Sequence, residues 1–187
     1  MDILNIQHVL ERFSSLLKSE YRTSLQEYKM QPVHFEVLQY LSVCNRYSNT
    51  PKAVTEYLGQ TKGTVSQSLI LLEAKGLIKK QANKNDKRVV NLALTAKGKG
   101  ILNKILPSPS LSLTSELLTK KEFEETERLL ISLLKKYQQA NDFKMFGQCS
   151  TCIHNNKLKS GSYLCNLTKE PLSKLELEKI CIEHEIH

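Results

Sequence analysis

Residues 51–100 read PKAVTEYLGQTKGTVSQSLILLEAKGLIKKQANKNDKRVVNLALTAKGKG, and their punctuation predicts two short helices, a hairpin and the start of a further helix. Thr50 is placed to cap a helix whose first turn holds Pro51, and Gly59 is placed to stop it. Over 61–75, Val65, Leu69 and Leu72 recur on one helical stripe, whereas Thr61, Lys62, Thr64, Gln67 and Ser68 fall largely off it, and Gly76 closes the helix. Two runs rich in apolar and β-branched residues follow, 77–81 and 89–94, joined by the polar stretch ANKNDKR at 82–88. They predict a basic hairpin. Thr95 can cap a helix over 96–106, which Pro107 and Pro109 are expected to end.

On the N-terminal side, Ile3, Leu4, Ile6, Val9, Leu10, Phe13, Leu16 and Leu17 keep a helical rhythm and predict a long first helix over 3–28. A second helix fits 33–44 after Pro32. On the C-terminal side, Thr119 and Glu122 form a capping box ahead of Phe123, Leu129, Leu130, Leu133 and Leu134, predicting a last long helix that runs to 140. The fold class is therefore mainly α (α+β). A winged helix-turn-helix core over 32–95 is flanked by long helices over 1–28 and 95–140, with a cysteine-rich tail over 147–187.

The composition is globular: of 187 residues 40% are apolar and 25% charged, with 7 Gly and 5 Pro. Collagen-like, low-complexity and wholly disordered classes are excluded. No apolar run approaches the roughly 18 residues needed to cross a bilayer, and no basic start precedes an apolar segment. A cytoplasmic location and no membrane partner are expected. Charge is the more informative quantity. Between 60 and 104 stand ten Lys or Arg against Glu73 and Asp86, so the entire formal excess of +8 lies in this segment. Such a surface displaces counterions from a polyanion, which points to nucleic acid. A helix entering the major groove needs short or hydrogen-bonding side chains at its leading end, and Thr61, Lys62, Thr64, Ser66 and Gln67 supply them. Gly63 permits close approach, and Gln67 can bond adenine through two atoms.

Taken together, KAVTEYLGQTKGTVSQSL (52–69), LLEAKGLIKK (71–80), DKR (86–88) and LALTAKG (92–98) resemble the MarR family of bacterial transcription regulators. The resemblance spans about residues 1–140, in letters over 51–100 and in layout outside it. It implies a homodimer whose end helices interleave, two reading lobes on successive major grooves of a pseudo-palindromic double-stranded DNA operator, and repression as the expected outcome. It also implies that Asp86 orients Arg88 toward the minor groove, with Lys84 and Lys87 on phosphates. A small aromatic effector between the lobes is a possible further partner, with Phe35, Tyr40 and Tyr47 as candidate lining residues.

The tail departs from most members of that family. Cys149, Cys152, Cys165 and Cys181 fall within the last 39 residues in the spacing CxxC-x12-C-x15-C. A piece this short rarely buries enough apolar surface to fold unaided, and in a reducing compartment a metal is favoured over disulfides. One close pair followed by two lone cysteines suits an iron-sulfur cluster of [4Fe-4S] type, with zinc as the alternative cofactor. The first reading is a regulator sensing redox state, oxygen or iron, its tail lying beside the dimerisation helices. The second is a regulator released by an aromatic ligand, with the tail as a structural zinc site. His154, His184 and His187 are alternative zinc ligands, more simply read as exposed tail histidines, and Cys44 is read as a small core residue. No phosphate loop, nucleophile with an evident base or cofactor fingerprint supports an enzyme or electron carrier.

Overall fold

The structure, a computed structural model, describes residues 2–83, 86–140 and 144–186. Helices α1 (Ile3–Glu27), α2 (Pro32–Val43), α3 (Pro51–Leu58) and α4 (Lys62–Ala74) precede strands β1 (Ile78–Ala82) and β2 (Val90–Leu94), and α5 (Ala96–Ile105) follows. The expected caps are in place: Thr50 Oγ1 accepts the Ala53 amide at 3.2 Å and Thr95 Oγ1 the Gly98 amide at 3.1 Å. Gly59 sits at φ 60, a conformation that glycine adopts without steric cost, and this turns the chain sharply between α3 and α4. β1 and β2 pair antiparallel from Ile78↔Leu94 to Ala82↔Val90. This is the wing.

One core holds these elements together. Phe35, Val37, Leu38 and Tyr40 of α2 lie at its centre, against Ala53 and Val54 of α3, Val65, Leu69 and Leu72 of α4, Leu92 of the wing and Leu102 of α5. Ser68 departs from the sequence reading: it is buried, because its Oγ donates to the Thr64 carbonyl one turn back at 2.8 Å and so needs no water. Gly98 is required by packing, since a Cβ there would stand 2.3 Å from the Leu77 carbonyl oxygen.

The two prolines after α5 mark a start as well as a stop. Pro109 opens a helix of its own, α6 (Pro109–Leu117), capped by Ser108. Glu20 of α1 holds that end: its carboxylate accepts Ser108 Oγ at 2.5 Å and the Ser110 amide at 3.0 Å, a favourable place for an anion. Those same bonds hold the Glu20 carboxyl below its ordinary pKa. The last long helix, α7, covers Lys120–Ala140, with the expected Thr119–Glu122 box.

The tail is built of short pieces. β3 (Gly147–Gln148) pairs with β7 (Ile180–Cys181), and β4 (Asn155–Lys157), β5 (Tyr163–Cys165) and β6 (Glu170–Leu172) form a small antiparallel sheet, with α8 (Lys174–Leu177) between β6 and β7. The tail does not sit simply beside the dimerisation helices as expected. It docks on the α2–α3 connection of the winged domain, where the Asn45 amide donates to the Ile180 carbonyl at 2.9 Å and the Ile182 amide donates to Ser48 Oγ at 2.8 Å. Phe146 leads into it at φ 42, seated against the rings of Tyr40 and Tyr57 at 6.0 and 5.1 Å. Arg46 clamps the far side on Glu176 at 2.6 Å and Glu170 at 3.1 Å.

Candidate nucleic-acid interface and cysteine cavity

The leading turn of α4 presents Thr61, Lys62, Gly63, Thr64, Ser66 and Gln67, all exposed. Thr61 has a structural task, since its Oγ1 accepts the Thr64 amide at 3.2 Å and lies 3.0 Å from Thr64 Oγ1. Gly63 meets no demand from within the protein: a Cβ there would find only Thr61 Oγ1, at 3.8 Å. The absent side chain therefore leaves open space on the outer face of the helix. Lys62 and Ser66 border a groove closed on its other sides by Lys52 and Glu56 of α3 and by Lys80 and Val90 of the wing, so the fold brings helix and hairpin to one face.

At the wing tip, Asp86 grips Arg88 as the resemblance implies. Arg88 Nε and Nη2 each donate to the carboxylate at 3.0 Å, and the Arg88 amide adds a third bond at 3.0 Å. The guanidinium holds the Asp86 carboxyl below the ordinary carboxylate range. The Arg88 side chain is still 90% exposed, so it is oriented without being hidden. Lys87 is exposed beside it, and Lys84 lies outside the described residues. Not every cation of 60–104 is free for a partner. Lys80 pairs with Glu73 at 2.8 Å, Lys75 Nζ donates to the Tyr28 carbonyl at 3.2 Å, and Lys97 Nζ donates to the Lys75 carbonyl at 2.9 Å.

The wing is tied to the α2–α3 connection by side chains that the sequence reading missed. The Leu92 amide donates to the Asn49 carbonyl at 2.7 Å, Asn91 Nδ2 donates to Asn49 Oδ1, and Asn83 Nδ2 donates to Asn91 Oδ1 at 2.8 Å. Asn83 Oδ1 in turn accepts the Asp86 amide at 3.1 Å. Asparagines in polar loops look like ordinary turn residues, so nothing local marks this ladder.

Cys149, Cys152, Cys165 and Cys181 line one cavity, although they are brought together from the turn at 149–152, from β5 and from β7. Asn45 and Tyr47 reach into it from the α2–α3 connection, and Leu167 and Leu172 give it apolar walls. Asn45 Nδ2 donates to Cys149 Sγ at 3.3 Å. The Cys149 thiol bonds to Cys181, which raises the pKa of Cys149 and lowers that of Cys181. Among the described residues, no three His, Cys, Asp or Glu side chains converge closely enough to hold a single metal ion. Four cysteines bordering one cavity are the donor chemistry from which thiolate-held metal sites are built.

The expected alternative ligands fare differently. His154 does border the cavity, 3.6 Å from Glu185. His184 is no exposed tail residue: it is buried against Gly147, where a Cβ would come within 2.4 Å of its ring, and its Nε2 lies 3.0 Å from Thr151 Oγ1. Burial, and then Lys135 of α7, lowers its pKa. His187 lies outside the described residues. Cys44 caps the end of α2, with its thiol pushed up to about 12 by burial, and does not border the cavity of the other four. The three aromatic residues expected to line an effector pocket are not gathered in one cleft. Phe35 and Tyr40 are core residues and Tyr47 belongs to the cysteine cavity, while the cleft between α2, β2 and α5 is lined by Leu41, Asn49, Leu92, Lys99 and Leu102.

Residues 19–105 match the family model of the transcriptional regulators SarA/Rot. A comparison with curated proteins gives no match. Among solved structures, the chain is similar to a MarR family protein from Bacillus stearothermophilus, at 21% identity over 73% of this chain and 95% of that one, with a TM-score of 0.60. It is also similar to MepR of S. aureus in its DNA complex, at 24% identity over 70% of this chain and 96% of that one, TM-score 0.55. The transcriptional regulator Tm0710 from Thermotoga maritima aligns at 24% identity over 74% and 96%, TM-score 0.51. Among the described residues no helix is long and apolar enough to cross a membrane. The fold of this chain is thus the winged helix of MarR-like regulators.

Proposed function

We propose that this chain is a DNA-binding transcriptional regulator of MarR/SarA type, reading duplex DNA with the leading turn of α4 and the arginine-tipped wing. The observation that carries the reading is the pairing of an exposed polar α4 face, open at Gly63, with an Arg88 that is held by Asp86 yet exposed. Thr64, Ser66 and Gln67 are the base-reading candidates, and Lys62, Lys87 and Arg88 supply charge against phosphates and the minor groove. Binding to a labelled duplex, followed by fluorescence anisotropy across a potassium chloride series, tests this. Log affinity should fall linearly with log salt, and a flat line would remove the interface.

A homodimer is the expected assembly. No side chain of α6 or α7 is buried, and Ile3, Ile6 and Leu10 of α1 share an open groove of about 660 Å³ with Leu130, Leu133, Leu134 and Tyr137 of α7. Apolar faces of this extent on two long helices need a partner surface, and a second copy supplies a matching one. Sedimentation should give twice the chain mass, and a stable monomer would contradict the reading. The expected sign of regulation is repression, by occupation of the operator.

The cysteine cavity is proposed as a metal site in which Cys149, Cys152, Cys165 and Cys181 hold a [4Fe-4S] type cluster. Such a cluster would supply a one-electron, oxygen-sensitive centre. The spacing favours it over zinc, since structural zinc sites usually take two close cysteine pairs and this chain has one close pair followed by two lone cysteines. The Asn45 bond to Cys149 is of the kind that tunes such sites. Purification without oxygen should give a brown protein with iron and sulfide near four per chain; a colourless protein with one zinc would assign a structural role instead.

A further inference from the structure

We propose that the state of the cysteine site is transmitted to the wing inside each protomer, through residues 45–49 and the asparagines 49, 91 and 83, so that docking of the tail fixes Arg88. This rests on the reading of the cavity as a metal site. The connection between α2 and α3 is held from both sides. On one side Asn45 bonds to Cys149 Sγ at 3.3 Å and to the Ile180 carbonyl at 2.9 Å, and Ser48 receives the Ile182 amide at 2.8 Å, next to Cys181. On the other, Asn49 receives the Leu92 amide at 2.7 Å and the Asn91 side chain. Asn91 and Asn83 then carry the bonding to Asp86, which forks Arg88. From the cysteines to the arginine the path is hydrogen-bonded side chains and five consecutive residues of backbone.

The element with two states is the docked tail. Its own buried apolar cluster is small, centred on Cys149, Leu172 and Cys181, and beyond it the tail's edges, at Phe146 and Ile182, reach the main core, so the order of its centre rests on what the cysteines hold. When the tail is released, Asn45 and Ser48 lose their partners, and the connection that anchors β2 loses its fixed side. A wing anchored in advance meets DNA with less ordering to do, so the loaded protein binds more tightly. In this arrangement the signal does not need to pass through the spacing of the two lobes.

The test uses the full chain, treated without oxygen with ferrous iron and sulfide, or stripped with a chelator. Hydrogen exchange of the wild type should show that loading protects amides at 45–49 and also at 89–92, and loaded protein should bind duplex DNA about tenfold more tightly than stripped protein. Asn91→Ala should load with the same visible absorption and protect 45–48, while the loaded-to-stripped ratio falls below about twofold. The proposal is overturned if wild type loads and orders its tail without change at 89–92, or if Asn91→Ala keeps the tenfold ratio. If wild type retains neither iron nor zinc, the reading of the cavity falls first and the relay with it, an outcome that the absorption and metal content separate from the other two.

Discussion

Replacing Gly63 by alanine should push stability and DNA affinity in opposite directions. In the free protein the added methyl meets only Thr61 Oγ1 at 3.8 Å, an ordinary contact, so nothing is displaced. Glycine in a helix costs roughly 0.5–1 kcal/mol relative to alanine, and Gly63 is the second residue of α4. The variant should gain up to about 1 kcal/mol, which for a chain of this length raises Tm by about 2–4 °C. In the proposed docking the same methyl would stand where the helix comes nearest the duplex. Withdrawing the leading turn by the size of a methyl group forfeits at least one close contact, worth about 1–3 kcal/mol, or a roughly 5- to 150-fold weaker Kd. Gly100→Ala is the control: it too lies within a helix, and a Cβ there has nothing within 4 Å. Differential scanning calorimetry and anisotropy on a duplex selected from a random pool by the wild type measure both quantities. If Gly63→Ala matches Gly100→Ala in both, α4 does not approach DNA at that residue, and the docking argument fails.

Arg88→Ala should weaken binding to every duplex and reduce the salt slope by about one, whereas Gln67→Ala should relax preference at one base position by about 1–3 kcal/mol; competition across single-base operator variants separates the two. Gly98→Ala should destabilise by about 1–3 kcal/mol in thermal unfolding, since its Cβ would stand 2.3 Å from the Leu77 carbonyl, and an unchanged Tm would refute that packing. His34 gives a pH signature. Its Nδ1 accepts the Gln31 amide at 3.0 Å, and burial, then Lys75, holds its pKa below 6.5. The neutral form is favoured by folding, so this contribution is full above about pH 6.5 and is lost as the pH falls from there through the lower folded value. The difference in unfolding free energy between wild type and His34→Ala should be about 1 kcal/mol at pH 7.5 and shrink below pH 6, and a gap that widens with acid would reverse the assignment.

Much of the winged domain could be read from the sequence, because its boundaries depend on local chemistry. Thr50 with Pro51, Gly59, Thr61 and Thr95 each act within four residues of themselves, and the helices begin and end where those residues require. Pro109 is ambiguous in the sequence for a related reason. A proline after a helix ends it, but the same ring suits the first turn of the next, which Ser108 caps locally and Glu20, 88 residues away from Ser108, holds from outside. Ser68 is buried against its polar type because a hydroxyl that bonds back along its own helix behaves as an apolar residue. The gathering of the cysteines followed from their number and spacing, whereas the seat of the tail did not. That seat is made by Asn45 and Ser48 with partners 104 and 134 residues away, and hydrogen bonds of that range leave no periodicity in a sequence.

The seating of Phe146 against Tyr40 and Tyr57 gives the molecule a built-in optical reporter. The chain has seven tyrosines and no tryptophan, so no indole emission masks the phenols. Three of those phenols, Tyr40, Tyr47 and Tyr57, stand where tail and winged domain meet. Detachment of the last forty residues would therefore register as a change in near-ultraviolet emission and dichroism, and undocking could be timed in a stopped-flow cell on unlabelled protein.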